Sequence, residues 1–168
     1  MIVIGNSDMI PEASSSETNI ASGKLPAEAV VNASISVNET DYSATLVSVG
    51  TPHCVVFSSF VDKVDVQTVG PMFENHSVFP KRVNTEFVRV AGRNSLKMRV
   101  WERGNGETPA CGTGACAAAI AAVLNGFCPL DENITVKVRG GELIVRYTGD
   151  TVCLTGAAEL VYTGEIEI

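Results

Sequence analysis

Cys111-Gly-Thr-Gly-Ala-Cys-Ala-Ala-Ala-Ile-Ala-Ala-Val-Leu-Asn125, followed by Gly126, is the stretch that decides the fold. Alanine is the best helix former, and a glycine just past the last helical residue is a natural stop. The segment therefore reads as one helix. Past Thr113 it carries no charge on any face. A helix that is apolar all round has to be buried all round.

The surroundings read as strands. Thr45–Val49 and His53–Phe57 are separated by the breaker Gly50-Thr51-Pro52. Phe87–Val90 and Leu96–Trp101 form a hairpin around Gly92-Arg93-Asn94. In the second arm Leu96, Met98 and Val100 alternate with Lys97, Arg99 and Trp101, so one face is buried and the other mostly wet. The C-terminal third continues with Ile134–Val138, Leu143–Tyr147, Val152–Leu154 and Leu160–Ile168, turned by Gly140-Gly141 and Gly149-Asp150. A second helix is expected from Asp65 to Asn75, with Asp65 as cap and Pro71 kinking or shortening it. The simplest way to bury the Ala-rich helix among these strands is to wrap the sheet around it. The expected class is α+β, a mostly antiparallel sheet wrapped around a central buried helix.

Residues 1–40 have a different character. Ile2–Ile4 fits a strand, Pro11–Thr18 is a polar connector, and Ile20–Val37 is ambiguous. The chain has 168 residues, 45% hydrophobic and 18% charged, which suits one folded domain with a real core. Net charge is −7 with no basic run, which argues against a nucleic-acid partner. No apolar run approaches the ~18 residues of a membrane span, and residues 1–16 do not read as a signal peptide. The 5 cysteines include no Cys-x-x-Cys spacing, so neither a metal site nor a redox pair is suggested. A reduced, cytoplasmic chain is expected, with Cys54, Cys116 and Cys153 as small buried hydrophobes. Asn-x-Ser/Thr matches at Asn32, Asn38, Asn75 and Asn133 carry no weight, because such triplets commonly arise by chance.

The chemistry gathers where the Ala-rich helix begins. A helix N-terminus offers unpaired N–H groups and partial positive charge, here at Gly112, Thr113 and Gly114. The glycines leave room for an anion such as a carboxylate. A thiol at the same place, Cys111, is expected to have a lowered pKa. The competing reading is an inert cysteine capping a buried helix. Glu102 and Arg103 precede the turn Gly104-Asn105-Gly106. They are either a solvated surface pair or, with Arg103 past the strand end, a carboxylate clamp, Glu102 then holding an ammonium group or tuning the thiol. His53 sits at a break between strands, where a site residue fits as well as a structural one. Asn84 fits either a site or a strand start. His76 reads as an exposed loop residue.

These residues together resemble the diaminopimelate epimerase family. The resemblance rests on Gly50-Thr51-Pro52-His53, Phe79-Pro80-x-Arg82-Val83-Asn84, and Trp101-Glu-Arg-Gly-x-Gly-Glu-Thr-x-Ala-Cys-Gly-Thr-Gly114. Gly140-Gly141-x-Leu143 and Leu154-Thr155-Gly156 add to it. It covers Thr45 to the C-terminus, in the order and spacing of that family's second domain.

The resemblance implies a two-domain enzyme with substrate between the halves and one cysteine from each. One thiolate removes the α-proton and the other thiol returns a proton to the opposite face, without pyridoxal phosphate or metal. Cys111 is then an acid/base thiol, and Glu102 and His53 assist and orient the thiols. Asn84, Arg103, Gly112, Thr113 and Thr51 contact the amino-acid substrate. Thr51 departs from the pattern, which has Asn there; its hydroxyl is shorter and lacks the amide's two N–H donors.

Residues 1–44 contain no cysteine. They are read as a linker or edge segment, a remnant of the first domain, and 45–168 as the epimerase-like C-terminal domain. The expected partners are a small amino-acid substrate and either a complementary N-terminal half or a second copy, with no nucleic acid and no membrane. The isolated chain is expected to be inactive. Two other readings are a related proline, hydroxyproline or phenazine-precursor isomerase and a non-catalytic small-molecule-binding module of the same fold.

Overall fold

In chain order the strands are β1 (Ile2–Val3), β2 (Ala29–Val37), β3 (Thr40–Ser48) and β4 (Pro52–Phe57), then helix α1 (Val66–Glu74). β5 (Asn84–Gly92), β6 (Ser95–Glu102) and β7 (Gly106–Thr108) lead into helix α2 (Gly112–Leu124), and β8 (Asn133–Val138), β9 (Gly141–Tyr147) and β10 (Thr151–Thr155) follow. This computed structural model describes residues 2–3, 29–158 and 162–166. The polar connector 11–18 and the start of the ambiguous segment lie outside the described residues.

The class is α+β, with one sheet in the order β1-β10-β9-β8-β6-β5-β4-β3-β2 and β7 paired to β6. Neighbours are antiparallel except β4/β5 and β6/β8. Each parallel pair brackets a helix in sequence: α1 joins β4 to β5, and α2 lies between β6 and β8. A parallel pair needs such a crossover, whereas a two-residue hairpin suffices for an antiparallel one.

α2 begins and ends as its sequence dictates. Cys111 is the N-cap, its backbone extended at φ −138° and ψ 115°. Gly126 takes φ +72°, and Phe127 N–H donates to Ala122 O at 2.8 Å, the glycine-terminated closure that satisfies the last carbonyls. Gly114 to Ala122 are all buried. The helix touches β3, β4, β5, β6, β8, β9 and β10.

The other face of the central strands is covered too. Val55, Val88, Leu96, Met98 and Val100 pack with α2, while Cys54, Val56 and Phe87 pack with Val66 and Phe73 of α1. With a helix on each face, neighbouring β4 residues are buried alike, from Pro52 to Val56. The wet face expected for β6 is therefore partly roofed: Trp101 lies on Gly70 of α1, and Arg99 reaches the carbonyls of Val61 and Val64.

α1 runs through Pro71 instead of stopping there. Pro71 denies a hydrogen bond to the carbonyl of Gln67, but Gln67 is exposed, so water can take that place. Asp65 caps the helix, accepting from Thr68 N at 3.3 Å and Thr68 Oγ1 at 2.7 Å.

Three expectations need correction. Residues 162–166 form no strand, although Leu160–Ile168 alternates like one. Cys153 is exposed, because strand neighbours point to opposite faces: Val152 is the one that turns inward. His76 is half-buried, with Nε2 donating to Ser36 O at 3.0 Å. The expected boundary between residues 44 and 45 falls inside β3, which pairs with both β2 and β4.

Candidate active site

β4 and β5 run parallel with His53 beside Asn84 and Val55 beside Glu86. Alternation puts His53 and Glu86 on the face that meets α2. His53 Nδ1 lies 2.7 Å from Glu86 Oε1, with both side chains fully buried. His53 Nε2 lies 2.9 Å from Thr51 Oγ1, and Thr51 is half-buried. A three-residue chain thus runs inward from the strand break to a buried carboxylate.

That carboxylate ends at the mouth of α2. A Cβ on Gly114 would stand 2.7 Å from Glu86 Oε1 and 3.2 Å from Cys111 Sγ. The thiol and the carboxylate share the space in front of Gly114. Packing thus requires the glycine at 114, which faces Glu86 and Cys111, in addition to any room it leaves for a ligand, while a Cβ on Gly112 would meet only the side chain of Leu154, at 3.1 Å.

Cys111 is half-buried. Gly114 N–H donates to Sγ at 3.3 Å, and Thr113 Oγ1 lies 3.5 Å away. These contacts favour the thiolate, as expected of a helix N-terminus, but they do not prevail. Burial pushes the Cys111 thiol up, and Glu86 and Glu102 push in the same direction. The expectation of a lowered pKa is corrected: two carboxylates and desolvation outweigh two hydrogen bonds. Among the described residues, the N–H groups of Gly112 and Thr113 have no protein acceptor, so they are free for an anion.

Glu102 closes β6, and Arg103 lies just past it, as the clamp reading requires. Glu102 accepts from the hydroxyl of Thr108. The Arg103 guanidinium donates to Lys81 O at 2.8 Å, and its backbone N–H donates to Asn84 Oδ1 at 2.8 Å. Asn84 also donates to Pro52 O at 3.2 Å. Asn84 is thus a clip between the strand break before His53 and the turn carrying Arg103. The turn has a second anchor in Glu74, buried at the end of α1, which accepts from Trp101 Nε1 at 2.7 Å, Arg82 Nη1 at 2.9 Å and Gly104 N at 3.0 Å.

The structure therefore brings Thr51, His53, Asn84, Glu102, Arg103, Cys111, Gly112 and Thr113 to one end of the sheet, at the α2 N-terminus. Sequence reasoning missed Glu86 and Glu74. A strand starting at Phe87 leaves Glu86 outside, whereas β5 starts at Asn84. The available signal was spacing: Glu86 follows Asn84 by two and so shares its face. Among the described residues no group of three His, Cys, Asp or Glu side chains could hold a metal ion, and no helix is long and apolar enough to cross a membrane.

A family model described as diaminopimelate epimerase matches residues 45–161. The chain is 48% identical over 141 residues to the diaminopimelate epimerase of Agathobacter rectalis, covering 83% of this chain and 49% of that protein. It is 45% identical over 142 residues to that of Leptospira biflexa, covering 84% and 50%. It is 50% identical over 125 residues to that of Pelotomaculum thermopropionicum, covering 74% and 44%. The chain spans about half the length of the curated relatives it matches. Among solved structures, one described as a predicted epimerase from Pseudomonas aeruginosa aligns at TM-score 0.45 and 16% identity, over 80% of this chain and 56% of that one, too loose a likeness to place any residue.

Proposed function

The chain belongs to the diaminopimelate epimerase family, and from that premise we propose that it is one half of an epimerase interconverting L,L- and meso-diaminopimelate by two-base proton transfer. The observation that carries the reading is the Cys111 thiol, set among Glu86, Glu102 and the free N–H groups of Gly112 and Thr113. Its strands surround α2 as one half of the site, and the other half faces it across the substrate.

The thiol pushed up by burial and two carboxylates supports one part for Cys111. Near neutral pH it is a thiol and returns a proton to the α-carbon. A thiolate on the opposite face removes the original proton. One turnover leaves Cys111 as thiolate and the opposite group as thiol, and the reverse reaction exchanges the roles. The charge that builds on the substrate carboxylate is met by the Gly112 and Thr113 N–H groups, donors fixed before reaction begins. Glu102 assists Cys111. His53 and Thr51 orient the site from β4, and Asn84 and Arg103 hold the substrate side. No metal or pyridoxal phosphate takes part, and the work is done in a reducing, cytoplasmic compartment.

Inversion needs a group on each side of the α-carbon, and we place the second on a complementary half. The purified 168-residue chain should convert L,L- to meso-diaminopimelate at no useful rate, and adding the complementary half should restore turnover. Normal turnover by the chain alone would refute this division of labour.

A second reading, a non-catalytic small-molecule-binding module, is favoured by one observation: the Gly112 and Thr113 N–H groups, without a protein acceptor among the described residues, suit a carboxylate whether or not a proton moves. Failure of every complementing half to yield turnover, with diaminopimelate still binding, would select it.

A further inference from the structure

Among the described residues Glu86 is the one fully buried carboxylate, and only one of its oxygens is used. Oε1 meets His53 Nδ1 at 2.7 Å, while Oε2 is buried without a hydrogen-bond partner among the described residues. A buried acceptor left unpaired is costly, and a carboxylate kept in the core at that cost calls for an explanation. The other oxygen offers one: Oε1, which holds His53, also stands before Gly114, 2.7 Å from where a Cβ would lie, in the space it shares with the Cys111 sulfur.

We propose that Glu86 is a positioning residue that joins His53 to Cys111, fixing the Nδ1–H tautomer of His53 and setting its carboxylate across the Gly114 gap from the Cys111 sulfur. A carboxylate oxygen accepts, so the 2.7 Å contact is a donation from His53 Nδ1. Nε2 then faces Thr51 as an acceptor for its hydroxyl. His53 is 1% exposed, and Thr51 closes the chain at the strand break. At the inner end the negative charge of Glu86 opposes a second negative charge on Cys111.

The groups that act on Cys111 come from several elements. Glu86 is on β5, Glu102 on β6, and Thr113 and Gly114 on α2, with His53 of β4 behind Glu86. Glu86 and Glu102 both oppose the thiolate, and Thr113 and Gly114 N–H favour it. Glu86→Gln removes one of the two opposing charges while keeping an oxygen for His53. The part this plays in proton return rests on the epimerase reading; the effect on the thiol does not.

The test uses the full chain and no substrate. Alkylation by iodoacetamide is followed against pH at peptide level, with exposed Cys153 as internal control. In Glu86→Gln the Cys111 profile should move down by about one pH unit, roughly a tenfold faster reaction below both midpoints, and Cys153 should not move. A folded variant whose Cys111 profile stays put or moves up overturns the proposal. Nitrogen-15 NMR of the wild-type imidazoles, simple with 2 histidines, gives an arm that does not depend on the variant folding. A proton on Nδ1 of His53 and an accepting Nε2 are expected, and the opposite tautomer overturns the proposal. Because neither readout needs turnover, a protein that shows the expected shifts yet stays inactive with the complementary half supplied would fail the epimerase reading alone.

Discussion

A thiol at the start of a helix is usually expected to ionise easily. Cys111 shows how neighbours reverse that. Its two hydrogen bonds pull toward thiolate, and burial with two carboxylates pulls harder the other way. The same competition without the helpers governs Cys116, whose thiol burial pushes up to about 11, and Cys54, also held up by burial and Glu86. In the unfolded chain a thiol ionises near ~8.5. The folded chain keeps these protons to higher pH, so it binds more protons than the unfolded chain above that value. Stability present below about pH 8.5 is therefore lost as pH rises toward about 11. Urea titrations should show the midpoint falling across that window, and Cys116→Ala should blunt the fall. A flat profile would contradict the assignment. At this scale the sequence displays Cys111, His53 and Thr51 plainly, because each stands at a break. Glu86 is hidden because its role depends on which residue begins β5.

At the scale of the element, α2 is the most legible part of the chain. Its alanines, its capping cysteine and Gly126 all point one way, and the helix obeys. The hairpin of β2 and β3 is the least legible. Its turn, Asn38-Glu39, has φ of +49° and +61°. Such a turn ordinarily advertises itself as Asn-Gly, and glutamate gives no such signal. A register shift between Val30 and Ala33, with Asn32 at φ +57°, further breaks the alternation. Two glycines test the packing account. Gly114→Ala would place a methyl 2.7 Å from Glu86 Oε1. Gly70→Ala would place one 2.5 Å from the ring of Trp101, prising it from Glu74 and loosening the Gly104 turn. Each should destabilise by about 1–3 kcal/mol, the range for overpacking. Urea unfolding followed by the fluorescence of the single tryptophan reads both, and unchanged midpoints would show that the neighbours yield freely.

For the molecule as a whole, the site lies at one end of a sheet that carries α2 on one face and α1 on the other. The α2 face bears the reactive thiol. The α1 face, through Glu74 and Trp101, holds the turn that presents Arg103. That division was half visible in the sequence: a helix apolar on every side must be buried, but nothing in β6 announces that its second face is roofed as well. Beside the α2 mouth, Leu154 stays 39% exposed while lying against Gly112. On the proposed half-enzyme reading, apolar surface here faces the complementary half and, without it, favours association. Light scattering should therefore show mean mass rising with concentration, and a strictly monomeric profile at high concentration would count against it.

The account stands or falls on whether Cys111 moves a proton at the substrate's α-carbon. With the complementary half supplied and the reaction run in D2O, deuterium should enter the α-carbon of diaminopimelate. Cys111→Ala should abolish that entry, and Cys116→Ala, altering a thiol buried one turn further along the same helix, should leave it intact. Exchange at the unaltered rate in Cys111→Ala would contradict the central claim outright.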